Sequence, residues 1–205
     1  MELSHEIAKA LLEIKAVQIK TDNYFTWTSG IKSPIYCDNR LTMSYPKVRR
    51  KITKAFAQMI EQLEQKPDVI AGCATAGIPH AAWLAEEMNL PMVYVRSKPK
   101  GHGKGNQIEG AFAKNQNVIV IEDLISTGGS SIDSAKALLQ EGVNVLGVMA
   151  IFTYGLEKSK QKFGESKLDF QTITTYDDML VVLKENGEIN EAETNELRAW
   201  RNSLS

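Results

Sequence analysis

The chain has 205 residues, 43% of them hydrophobic, and a formal net charge of −1. That length and apolar share suit one globular domain with a real core, and the near-neutral balance argues against nonspecific nucleic-acid binding. Cys37 and Cys73 stand far apart with no Cys or His at metal-ligand spacing, which gives little support to a zinc site or a disulfide framework and fits a reducing cytoplasm.

The N-terminal stretch MELSHEIAKALLEIKAV sets acids among its apolar positions, and no apolar run reaches the roughly 18 residues that span a bilayer. It reads as an amphipathic helix rather than a targeting peptide, with Ser4 as N-cap and Ile7, Leu11, Ile14 and Val17 at helical spacing. Pro46 opens a second helix, whose Val48, Ile52, Phe56, Met59 and Leu63 keep the same period up to Pro67. Strand and helix then alternate: DVIAG as strand, GIPHAAWLAEEM as helix with Asn89 at its C-terminal cap, MVYVR and NVIVIED as strands, SSIDSAKALLQEG as helix and VNVLGVMAIF as strand. The tail predicts two helices broken at NGEIN, with Leu197, Trp200 and Leu204 on one face that docks on the core. Repeats and linkers are absent, so residues 1–205 read as one domain: an N-terminal part (1–43), an α/β core (44–175) and C-terminal helices (176–205).

Such alternation predicts a mostly parallel central sheet flanked by helices. Ligands of open sheets gather beyond the carboxyl ends of the strands, which is where AGCATAGIP, RSKPKGHGKG and EDLISTGGSS all fall.

The stretch VIVIEDLISTGGSSIDSAKALL, residues 118–139, carries the sharpest chemistry. After an apolar strand the backbone enters a helix near Ser130 through a loop of hydroxyls and two glycines, and a helix N-terminus offers unpaired N–H donors and partial positive charge to a phosphate. No lysine follows Gly128 and Gly129, so this is not the NTPase loop, and it lacks the dinucleotide G-x-G-x-x-G order. Glu122 and Asp123 would repel a polyphosphate but accept hydrogen bonds from sugar hydroxyls, so a ribose 5-phosphate satisfies both halves. A plain strand end followed by a turn is the competing reading.

In VRSKPKGHGKGNQIEGAF, the residues Arg96, Lys98, Lys100, His102 and Lys104 stand among three glycines and Pro99, a composition that favours a mobile basic lid over a fixed element. Lys and Arg on such a lid would stabilise an anion beneath it while closure excludes water. His102 could donate a hydrogen bond or a proton to an oxygen of that anion. Trp27 and Tyr36 are candidates for covering a base, with core packing the alternative, and His5 and His80 fall on helices as packing or surface residues.

VIVIEDLISTGGSS resembles the phosphoribosyl-pyrophosphate (PRPP) motif of the type I phosphoribosyltransferases, which PRPP synthetases and some regulators of that fold share. The resemblance implies the type I phosphoribosyltransferase fold, with PRPP held by Glu122, Asp123, Leu124, Ile125, Ser126, Thr127, Gly128, Gly129 and Ser130. The basic loop resembles the catalytic loop of orotate phosphoribosyltransferases, with Arg96, Lys100 and His102 at the pyrophosphate-contacting positions. That likeness implies a lid reaching into the neighbouring subunit's site, and so a homodimer. YFTWTSGIKSPIYCDNR, residues 24–40, resembles the same family's F-T-x-x-S-G-x-x-S-P hood over the base, and the likeness extends over most of residues 20–155, nearest to a bacterial form. Ser126 stands where the family's loop also touches orotate. Thr28 and Ala76 stand where some members carry PRPP-contacting lysines, so those contacts are lost or replaced.

The expected reaction is Mg²⁺-dependent transfer of the 5-phosphoribosyl group from PRPP to orotate, with Lys100, His102 and Asp123 as the catalytic set. Mg²⁺ is expected to ride on PRPP oxygens, with no protein metal ligand assigned. A purine phosphoribosyltransferase and a PRPP-sensing regulator that binds nucleic acid are the alternatives.

Overall fold

The structure is a computed structural model describing residues 2–26, 32–98 and 107–204. Helix α1 (Glu2–Glu13) buries Ile7, Ala8, Ala10 and Leu11. Ser4 is not its N-cap: the helix already runs through it, and its hydroxyl donates instead to Asp178 Oδ2 at 2.7 Å, a carboxylate on a distant helix. The chain leaves α1 through Lys15, at φ 58°, so Val17 belongs to a strand rather than to the helix.

Two short antiparallel ribbons follow, β1 (Val17–Ile19) with β4 (Ile35–Cys37), and β2 (Phe25–Thr26) with β3 (Lys32–Ser33). A 3₁₀ helix (Asn39–Ser44) then leads into α2 (Pro46–Glu61), where proline occupies a first-turn position that needs no N–H partner. Beyond it run β5 (Val69–Cys73), α3 (Gly77–Met88), β6 (Met92–Val95), β7 (Ile108–Glu109), β8 (Asn117–Ile125), α4 (Gly129–Gln140) and β9 (Asn144–Thr153). Asn89 closes α3 in the left-handed conformation, at φ 53°. The C-terminal part adds α5 (Glu157–Glu165), β10 (Phe170–Thr175), α6 (Tyr176–Glu185) and α7 (Glu191–Ser203).

The central sheet has the order β10-β9-β8-β5-β6-β7 and is parallel except for β7, which runs antiparallel to β6 at the edge. Both faces are covered, which is why β5 and β8 read as continuous apolar runs. Ile119 and Ile121 join one core with α1, α2, α3 and α6, whereas Val118 and Val120 join the other with Ile132 and Leu138 of α4 and Phe163 of α5. Tyr176, Met179, Leu180 and Leu197 bury into the first of these cores, with Trp200 and Leu204 packed against it, so α6 and α7 dock there.

Gly77 positions the first turn of α3. A Cβ there would lie 2.3 Å from the Ile121 carbonyl oxygen, so only glycine lets the helix start directly over β8.

Candidate active site

Strand β8 is longer than its apolar run: it stays in register with β9 as far as Ile125, opposite Thr153, so Glu122 and Asp123 are ladder residues and not the start of a loop. Alternation along the strand gives the two side chains different neighbours, although their carboxyl groups still reach one another at the strand end. Glu122, only 5% exposed, turns toward α4. One of its oxygens accepts from the Asp123 N–H at 3.0 Å, and the other accepts from the Ser130 and Ser131 hydroxyls at 3.2 and 3.4 Å. A ribose hydroxyl donating to Glu122 would exchange with these serines.

Asp123 turns toward the N-terminal segment, close to Cys37, Tyr154 and Arg40. Burial first, and Glu122 beside it second, push its carboxyl up to about 7. Its main-chain carbonyl accepts from Asn39 Nδ2 at 2.7 Å, with Asn39 itself 1% exposed. The sequence offers no periodic signal for Asn39, and its part in the site went unread for that reason.

From Ser126 the chain turns into α4 through Gly128, which lies at φ +78° and caps the helix without any side-chain hydrogen bond. A Cβ at Gly128 would also lie 2.6 Å from the Phe163 ring. The first N–H groups of α4 thus have no side-chain acceptor of their own and are available to an anion.

The turn after β5 forms the opposite wall. Ala74, Thr75 and Ala76 face Glu122, Asp123, Leu124 and the Ser126–Ser130 loop across a cleft of about 360 Å³. Cys73 is packing: its Sγ lies 3.1 Å from Ser134 Oγ, and burial, with Glu122 nearby, raises its thiol so that it stays protonated. Of the predicted PRPP residues, Ile125 does not line the cleft. It is buried under the loop, where its carbonyl accepts from Thr153 Oγ1 at 2.8 Å.

Arg96 stands at the end of β6, one residue past Val95, whose carbonyl accepts from the Ala74 N–H at 2.9 Å, and its guanidinium meets Glu109 of β7 at 3.3 Å. Its backbone is held on both sides, by Gln107 O and by Gln107 Nε2, so the ends of the basic loop are pinned together there. Lys100 and His102, with Trp27 and Thr28, lie outside the described residues. Tyr36 is not core: it is 40% exposed, with its ring centroid 5.8 Å from that of Phe25. His80 is packing, 2% exposed and 3.3 Å from Thr42 Oγ1, and burial pushes it down to about 4. His5 stands 3.6 Å from Asp178 of α6.

A family model described as "Phosphoribosyl transferase domain" matches residues 44–179. An orotate phosphoribosyltransferase of Oceanobacillus iheyensis is 64% identical over 202 residues, covering 98% of this chain and 100% of that protein. Among solved structures, the UMP synthase of Leishmania donovani superposes with a TM-score of 0.78 at 29% identity, covering 97% of this chain, which spans 42% of that longer one. The orotate phosphoribosyltransferase of Aeropyrum pernix superposes with a TM-score of 0.75 at 26% identity, covering 90% of this chain and 99% of that one.

Proposed function

The chain belongs to the orotate phosphoribosyltransferases, and from that premise we infer that it transfers the 5-phosphoribosyl group of PRPP to N1 of orotate. The products are orotidine 5′-phosphate and pyrophosphate, and the step belongs to pyrimidine nucleotide synthesis. The observation that carries this reading is one cleft in which unsatisfied helix N–H groups, hydroxyls and a carboxyl group share a wall. A phosphate, a diol and a cationic sugar are the ligands such a wall suits.

In the reaction the C1′–O bond to pyrophosphate breaks and the C1′–N1 bond forms, through a sugar with oxocarbenium character. The Ser126–Ser130 loop and the first turn of α4 hold the 5′-phosphate, which fixes C1′ at a set distance from the strand end. Asp123 faces the developing positive charge. Burial raises its carboxyl, and a developing positive charge favours the ionised form, so the carboxylate stabilises the transition state more than the ground state. Glu122 acts as a strut between β8 and α4 and as an acceptor for a ribose hydroxyl.

Mg²⁺ fits this donor set as an ion carried on the substrate. Among the described residues no cluster of His, Cys, Asp or Glu forms a cage, and a hard cation that keeps several waters suits one carboxylate plus phosphate oxygens. When bound, it would neutralise charge on the leaving pyrophosphate. We assign the rest of that task to Arg96, Lys100 and His102 on a lid shared across a homodimer.

The test is consumption of orotate with PRPP and Mg²⁺, run beside adenine, guanine and xanthine. Turnover of a purine without orotate overturns the assignment, and salt-sensitive nucleic-acid binding without turnover would make the chain a regulator. Lys100→Ala should lower kcat by about 100-fold or more with little change in PRPP binding. Heterodimers of Lys100→Ala and Asp123→Ala subunits should recover activity if sites are shared, and none if they are not.

A further inference from the structure

Orotate differs from uracil by a carboxylate, and the described lining of the cleft offers that charge hydroxyls and N–H groups but no cation. That lining includes Glu122 and Asp123 and no Lys, Arg or His. A second anion brought beside this pair meets repulsion unless a cation stands on the base side of C1′. Arg96 follows β6 next to the β5 turn, but its guanidinium is already engaged with Glu109 of β7.

Arg40 is the cation placed to serve. It follows Asn39, whose amide is bonded to the Asp123 carbonyl, so the 3₁₀ helix is moored on the end of β8 and carries Arg40 beside the acid. The guanidinium is held rather than loose: Nε and Nη2 donate to the two oxygens of Asp38 at 2.6 and 3.0 Å. Asp38 is fixed in turn by its own N–H on the Ala16 carbonyl at 2.7 Å. This geometry commits one edge of the guanidinium and leaves Nη1 for an incoming acceptor, while 64% of the side chain stays open to solvent. The guanidinium charge acts on the Asp123 carboxyl, which places Arg40 close to the acid.

Resting on the functional reading above, we propose that Arg40 is the specificity residue that receives the carboxylate of orotate, with Asp38 as the positioning residue that aims it. Asp38 makes the site selective as well as ordered. It offsets the charge of Arg40 toward solvent, so a bare anion gains little there, whereas a planar carboxylate aligned with the remaining N–H groups gains directed hydrogen bonds.

Steady-state rates of Arg40→Met and Arg40→Lys with orotate, with its neutral isostere orotamide, and with PRPP test this. Arg40 is exposed, so both variants are expected to keep the wild-type Tm, which is measured alongside. Arg40→Met should raise the KM for orotate by about 10- to 100-fold and shrink the preference for orotate over orotamide by the same factor, with the KM for PRPP within about twofold. Arg40→Lys should recover part of that loss, because charge returns without the planar fork. A wild-type KM for orotate in Arg40→Met, an equal loss on orotamide, or a rise in the KM for PRPP instead would each overturn the proposal. If the wild-type chain itself ignores orotate, the functional reading falls and this one with it, whereas wild-type turnover with an indifferent Arg40→Met removes Arg40 alone.

Discussion

The β8–α4 junction and the 3₁₀ segment that lies against it meet at Asp123, yet they are built in opposite ways. The junction is contiguous, and its work is done by backbone, with N–H groups at a helix start and a glycine at positive φ, while Gly77 of α3 lets that helix approach the strand from outside the junction. The 3₁₀ segment works through single buried side chains, Asn39 on the Asp123 carbonyl and Thr42 against His80. Among the described residues, Asn39 Oδ1 and, on α3 facing the segment, His80 Nδ1 are buried without a hydrogen-bond partner. A backbone site tolerates many side chains but no change of path, and a side-chain site does the reverse.

That contrast predicts the largest loss at a glycine. Gly77→Ala sets a methyl 2.3 Å from a strand carbonyl with backbone on both sides, and should destabilise the fold by about 3 kcal/mol, seen as a Tm drop of about 6–12 °C. Gly129→Ala is the control: its Cβ meets nothing within 4 Å, so a loss above about 1 kcal/mol there would contradict the steric account.

On the other side, Asn39→Ala leaves the buried Asp123 carbonyl without its donor and should cost about 1–3 kcal/mol in urea denaturation. It should also lower kcat, since the strand end carrying Asp123 loses its tether. A stable variant with unchanged kcat would make the segment a passive cover.

Asp123 provides a pH signature. Its folded value is raised to about 7, against an ordinary carboxylate value of about 3.9, so the native state holds more protons than the unfolded state between them. Stability from this group is full below the lower value and is lost as pH rises toward the upper. Asp123→Asn should therefore gain Tm over wild type at pH 8 and lose that advantage at pH 4. The same ionisation should give wild-type kcat/KM an acid limb, with activity rising through about pH 7.

The smallest effect is expected at His80. Its folded value is depressed to about 4, against about 6.5 unfolded, so the unfolded state binds the proton first and stability falls as pH drops through that window. His80→Gln should flatten the Tm profile between pH 6.5 and 4. A parallel profile would mean that His80 takes up its proton as readily in the native state as in the unfolded one.

Much of this was legible in the chain. Helix α3 runs over Gly77–Met88 as its spacing predicts, and Asn89 caps it. The loop proposed to hold a phosphate is a single run of neighbours, and the structure brings its residues Ser126–Ser130 to one cleft wall. Three kinds of feature were not legible. Ser4 looked like a cap because its distant partner Asp178 is invisible in one dimension. Helix α5 shows only Ser159 and Phe163 as buried positions, too few to mark a face, and β10 is a threonine-rich strand that pattern alone does not set apart from a loop. The sequence reading ends β8 with the acids of NVIVIED, whereas pairing with β9 carries the ladder two residues further, to Ile125.

Residue order along the chain dictated the alternating α/β plan, the helix-start loop and the pairing of acids with hydroxyls, because each depends on neighbours within a turn or a strand. Folding in three dimensions settled which face each acid takes, what Asn39 holds and where Arg40 stands. Those depend on segments some 80 residues apart meeting at one strand end, Asn39 on Asp123, and contacts of that range leave no periodic trace in the sequence.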